Sequence, residues 1–187
     1  MGKIIAFTNK KGGVGKTTTA VNMAAYCADF GKKTLLVDID SQGNATTGLG
    51  FSKSALKKSV YNVLIDGDSS AANILPTAVK LLDILPANVD LTGAEVDLVY
   101  KRNRESILRD ALEKVRADYD YIFIDCPPSL GLLTINGWVA SDSVIIPMQA
   151  EYFALEGVSQ LMNTIAMDKQ HLNPNLEIEG VVITLYD

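Results

Sequence analysis

The chain has 187 residues, 48% of them apolar and 21% charged, with a net charge of −5. That balance excludes a disordered, collagenous or coiled-coil protein, and a chain of this length removes about 70% of its unfolded surface from water without disulfide or metal staples. No apolar run approaches the roughly 20 residues of a membrane span, and the opening MGKIIAF is too short in apolar residues for a signal peptide. Ala6 also stands where N-myristoylation needs Ser or Thr, so a cytoplasmic location is expected.

Residues 3–8, KIIAFT, read as a short strand buried on both faces of a parallel sheet. A glycine-rich loop follows over 9–16, then a helix over 17–30 with Gly31 as its C′ residue. TLLVD at 34–38 is a second strand, followed by a polar, glycine-bearing segment over 40–50. Residues 52–80 read as short helical pieces broken by Asp66-Gly67 and Pro76, and LDILP at 82–86 as a third strand. Ile107, Leu108, Ala111, Leu112 and Val115 mark one face of a helix that begins near Asn103. YIFID at 121–125 and SVIIPM at 143–148 are strands. Ala154, Leu155, Val158, Leu161, Met162, Ile165 and Ala166 mark a long amphipathic helix, and 179–186 a last strand. Alternating strands and helices predict an α/β fold with a doubly wound, mostly parallel sheet and right-handed crossovers. Ending on a strand with no closing helix suggests one domain over 1–187 cut from a longer protein.

Charge is unevenly spread. Residues 1–60 hold nine Lys and three Asp, whereas the remainder holds eight basic and nineteen acidic groups. A positive end on an acidic body suits a small polyanion bound near the N-terminus better than nucleic acid held over the whole surface. The lone histidine, His171, sits at an expected helix end, where capping or exposure accounts for it. Cys27 and Cys126 have no disulfide or metal spacing. Cys27 and Trp138 are expected in the core, Trp138 alternatively on a partner surface, and Lys53, Lys57 and Lys58 on a solvated face with DNA phosphate as the alternative.

The loop KKGGVGKTT, residues 10–18, lies between a strand and a helix, where a phosphate loop must lie. Successive N–H groups can form an anion nest, with Gly12, Gly13 and Gly15 permitting the backbone angles and close approach. Val14 and Thr18 complete the cradle at the positive end of the helix dipole. Lys16 supplies a cation for the outer phosphates, and the Thr17 hydroxyl can ligate Mg²⁺. Lys10 stands where the strict pattern has its first glycine. A dinucleotide site built on Gly13-Val14-Gly15 and Asp38 would put Thr18 at the third glycine and leave Lys16 and Thr17 without a role.

KGGVGKT at 11–17 is similar to the deviant Walker A motif of the ParA/MinD group of P-loop NTPases, whose extra lysine corresponds to Lys11. LLVDIDSQGNAT at 35–46 resembles the group's second acidic motif, and YIFIDCPPS at 121–129 its Walker B strand and switch. SLGLLTIN at 129–136 and EYFALEG at 151–157 resemble the chromosomal ParA proteins of the Soj kind. The resemblance implies an ATP- and Mg²⁺-dependent hydrolase, slow without its partner, with Lys11, Lys16 and Asp40 as catalytic residues. Asp40 would position the attacking water and Asp38 support its loop; Asp125 would hold Mg²⁺ through a water. Lys11 would reach across a nucleotide-sandwich homodimer to the partner's phosphates. It further implies nonspecific DNA binding, mainly by a part of the family beyond residue 187. A ParB-like partner would stimulate hydrolysis, the ATP-bound form would lie on the nucleoid, and no stable membrane association is expected. A MinD-like membrane-associated regulator or a non-catalytic nucleotide switch is the alternative reading, with a small-molecule kinase or ligase third. Two positions depart from the pattern: Lys10 where glutamine is usual, and Ser41 where proline is usual, which predicts a more mobile loop.

Overall fold

A computed structural model describes residues 1–185, the side chains at 152–156, 158 and 168 excepted. The apolar runs become strands β1 (Lys3–Phe7), β2 (Thr34–Asp38), β4 (Leu82–Leu85), β5 (Tyr121–Asp125), β6 (Ser143–Gln149) and β7 (Glu177–Thr184). Together with the two-residue β3 (Leu75–Pro76) they form one sheet of order β3-β4-β2-β5-β1-β6-β7. Every pairing is parallel except β3 with β4. The doubly wound sheet expected from the alternation of elements is therefore present.

Strands β1, β2, β5 and β6 are buried almost throughout because both faces are covered, whereas β7 is exposed or half-buried along its length. Ile4, Ala6, Leu35, Val37, Ile122 and Ile124 face one cluster. That side is closed by helices α4 (Ala94–Val99), α5 (Ile107–Leu112), α6 (Leu132–Ala140) and α7 (Tyr152–His171). Ile5, Phe7, Leu36 and Phe123 face the other side, where α1 (Lys16–Asp29) packs. The helix contributes a stripe of small residues there, Ala20, Ala24 and Ala28, each no more than 4% exposed. Phe7 meets Phe123 edge-on with ring centroids 5.6 Å apart, so the strands supply the bulk and the helix sits close. Gly31 (φ 81) ends α1 as expected: its N–H donates to the Ala28 carbonyl and that of Lys32 to Cys27, the paired bonds of a Schellman cap.

Several details differ from the sequence reading. The segment 40–50 contains a short helix, α2 (Asn44–Gly48), and 52–80 holds one π-helical turn (Asn62–Asp66) and α3 (Ser70–Asn73). The expected helix near Asn103 starts later, at Ile107, because residues 103–106 form a turn with Asn103 at φ 51. The last strand runs Glu177–Thr184, and Tyr186 lies outside the described residues. On α7, Leu161 and Ile165 are buried but Ala166 is exposed; Ala154, Leu155 and Val158 lie outside the described side chains. Cys27 is half-buried rather than core, whereas Trp138 is buried in the core. His171 is exposed at the end of α7, as expected.

Candidate functional site

Parallel strands place their carboxyl ends together, and the chain reverses its winding about β1, so a crevice opens there. In register, Asp125 of β5 lies beside Phe7 of β1 on one side and Asp38 of β2 on the other. The loops leaving these three strands thus meet. Between them lies a cavity of about 890 Å³, lined by Gly12, Gly13, Lys16, Thr17, Thr18 and Asp40 among others.

The loop over 9–16 is held from below. Asn9 is buried; its Oδ1 accepts the Lys11 N–H at 3.0 Å and its amide donates to the Pro147 carbonyl at 2.8 Å. Gly13 and Gly15 take left-handed angles (φ 73 and 83) that other residues rarely adopt. Gly12 is different: a Cβ there would meet nothing within 4 Å, so this chain's own packing does not demand glycine at that position. Thr184, the last residue of β7, donates to the Val14 carbonyl at 2.7 Å, and its methyl lies 3.2 Å from where a Cβ on Gly15 would be.

Lys16 is 6% exposed, its ammonium on the Lys11 carbonyl at 3.1 Å. Burial lowers its pKa from the ordinary value, partly offset by Asp125 and Asp40. The Thr17 hydroxyl donates to Asp125 Oδ2 at 2.7 Å, while Asp125 Oδ1 is buried without a partner. An orphaned carboxylate oxygen beside a hydroxyl at the mouth of a phosphate loop fits a hard, hydrated cation such as Mg²⁺. Among the described residues no group of three or more His, Cys, Asp or Glu could hold a metal ion, so phosphate and water oxygens would complete the shell.

The two acids of the second motif do different things. Asp38 is fully buried; its Oδ2 accepts both the Thr46 N–H at 2.8 Å and the Thr46 hydroxyl at 2.6 Å. It pins the loop to α2. Asp40 lines the cavity, with Oδ1 held by the Gln42 N–H at 2.9 Å. The loop at Ser41 is closed further by the Gly43 N–H on the Asp40 carbonyl at 2.8 Å. Burial, opposed by the Thr46 donors, pushes Asp38 up to about 6. Burial and then the neighbouring Asp38 charge push Asp125 up to about 7.

A raised carboxylate pKa destabilises the metal-free fold as pH rises. The contribution is fully present below the unfolded value near about 4 and is lost through pH 7. Asp125→Asn should therefore flatten the fall in melting temperature of the nucleotide-free chain between pH 5 and pH 8. A fall as steep as in the unsubstituted chain, measured by scanning calorimetry, would show that this carboxyl does not carry the dependence.

Lys11 and Val14 lie outside the main cavity. Val14 is buried beneath the loop, and the Lys11 ammonium pairs with Glu151 at 2.8 Å and Gln149 at 3.1 Å. Both residues line a second cavity of about 370 Å³. Lys10 is exposed and donates to Gln160 of α7. Cys126 is buried and its thiol is pushed up by burial, which leaves no reactive thiolate. Sequence reasoning missed Thr46, Thr184, Gln149 and the partnership of Glu95 with α6. The Glu95 carboxylate accepts the Leu132 N–H at 2.8 Å and caps the helix that follows the Asp125 loop. Each of these partners is set by tertiary contact, and no local pattern marks it.

An AAA-domain family profile matches residues 2–178. The sporulation initiation inhibitor protein Soj of Bacillus subtilis is 58% identical over 187 residues, covering 100% of this chain and 74% of that protein. The chromosome partitioning protein ParA of Myxococcus xanthus is 54% identical, over 100% of this chain and 66% of its own length. The solved structure of cobyrinic acid a,c-diamide synthase from Mycobacterium smegmatis with bound ATP analog and magnesium has a TM-score of 0.95 at 43% identity, over 100% of this chain and 76% of that one.

Proposed function

Because the chain belongs to the Soj/ParA family of P-loop ATPases, we propose that it is a partitioning ATPase: ATP binding assembles a DNA-binding homodimer and hydrolysis takes it apart. The observation that carries this reading is the convergence of the loop glycines, Lys16, Thr17 and Asp40 on one cavity of about 890 Å³. An ATP analog and magnesium are named with the M. smegmatis structure, and ATP with Mg²⁺ suits this cavity and its donor set. The triphosphate would lie against the amides of residues 12–18, the Lys11 N–H being taken by Asn9, with Lys16 on the outer phosphates. Thr17 and, through a water, Asp125 would hold the Mg²⁺, which when bound would supply charge neutralisation at the phosphates. With Oδ1 of Asp40 held by the Gln42 amide, Oδ2 orients the water that attacks the γ-phosphorus; ADP and phosphate leave.

Lys11 acts on the partner's nucleotide, since its ammonium is directed out of its own cavity. The name of the M. xanthus relative, a chromosome partitioning protein, supports DNA as the surface on which the dimer works and a ParB-like protein as the activator of an otherwise slow hydrolysis. We place the protein in the cytoplasm, on the nucleoid when ATP-bound. Among the described residues no helix is long and apolar enough to cross a membrane. Residues 1–187 belong to a single P-loop ATPase domain, and the acidic balance beyond residue 60 gives them little affinity for DNA on their own. Residues 1–187 should retard a random duplex only weakly in a mobility-shift assay, and tight, salt-sensitive retardation would overturn that expectation.

Steady-state phosphate release with Mg²⁺, with and without random-sequence DNA and a ParB-like protein, tests the reading. Stimulation by the two together supports it. A ligase-type function, which the name of the M. smegmatis protein brings into view, instead predicts turnover that depends on an acid acceptor and a nitrogen donor.

A further inference from the structure

Residues 40–43 form the turn that carries Asp40 into the cavity, and the Lys53 side chain lies over this turn. Lys53 donates its ammonium to the Gln42 carbonyl. Its stem lies across Gly43 so closely that a Cβ there would overlap Lys53 Cδ. Gly43 is buried at φ 59, a backbone angle that other residues rarely adopt. The chain folds back to deliver Lys53: after α2 the Phe51 N–H donates to the Thr46 carbonyl at 3.1 Å, and the Ala55 N–H closes a turn on Ser52 at 3.0 Å. Gln42 is thus gripped at both ends, its N–H on Asp40 Oδ1 at 2.9 Å and its carbonyl on Lys53.

We propose that Lys53 is a positioning residue for hydrolysis: through the Gln42 peptide and the Gly43 surface it fixes the Asp40 carboxylate in the cavity. This rests on the reading of Asp40 as the residue that orients water. A Lys53 that only decorated a basic face would leave Gly43 free and the Gln42 carbonyl to solvent. Small displacements of an orienting group lower the rate while leaving substrate contacts intact, so the effect belongs in kcat rather than KM.

The test is single-turnover and steady-state ATP hydrolysis by the full chain without DNA, comparing Lys53→Met, Lys53→Arg and Asp40→Ala. Lys53→Met keeps the stem and removes the ammonium. It should lower kcat about tenfold with KM for ATP and melting temperature unchanged. Lys53→Arg, which restores a donor, should recover most of that loss. If Asp40→Ala abolishes turnover while Lys53→Met keeps the unsubstituted kcat, Lys53 has no positioning role and the site reading stands. If Asp40→Ala turns over normally, the site reading fails and this inference with it. A Lys53→Met loss that arginine does not restore would also overturn it.

Discussion

Asp40→Ala should bind ATP with little loss yet hydrolyse it at least about a hundredfold more slowly, because a group that orients the attacking water contributes on the order of 10²–10⁴. Asp40 lines the cavity at 6% exposure, and the Gln42 amide holds one of its oxygens. Anchoring of the loop to α2 falls to the fully buried Asp38 and its two bonds from Thr46, and the Gln42 contact that alanine would also lose is controlled for by asparagine. Asp40→Asn keeps an acceptor for Gln42 and should lose nearly as much turnover as alanine. The ATP-loaded dimer, unable to hydrolyse, should persist in light scattering for many turnover times. Phosphate release from Asp40→Ala at the unsubstituted rate would remove the role assigned to this carboxylate.

Lys11→Ala should leave nucleotide affinity of the monomer within about threefold and raise the dimer dissociation constant about 10²–10⁴-fold. A charge-assisted bond to phosphate contributes about 1.5–3 kcal/mol, and a twofold-symmetric dimer makes it twice. The sum, about 3–6 kcal/mol, converts to that range. Against it stands the ion pair Lys11 must leave, with Glu151 at 2.8 Å and both side chains about half exposed; such pairs contribute about 1 kcal/mol or less. The transfer to a partner's phosphate therefore wins. Sedimentation at several protein concentrations with ATP and Mg²⁺ measures it, and unchanged dimerisation would place Lys11 among ordinary surface charges.

The sequence made legible what depends on local pattern. Strands such as YIFID at 121–125 carry an unbroken apolar run up to Asp125 because both faces are covered, and that continuity is visible without coordinates. The phosphate loop was visible because the angles at Gly13 and Gly15 restrict the residue type. What stayed hidden depends on neighbours distant in sequence. The antiparallel β3 is two residues long and exists through its pairing with β4. α4 buries Ala94 and Leu98 but exposes Val96 and Val99, so its apolar residues mark no single face. The site residues were legible as a set, but not their division of labour. That Asp38 anchors while Asp40 faces the cavity depends on where Thr46 comes to lie, eight residues after Asp38.

The alanine stripe of α1 has one more consequence. The helix that carries Lys16 and Thr17 at its first turn rests on the sheet through methyl groups at residues 20, 24 and 28. The height of the phosphate cradle above β1 and β5 is thus calibrated one to three turns away from any atom of the nucleotide. Evolution or design can retune the reach of the cradle by changing a shim under the helix while every ligand-facing group keeps its identity.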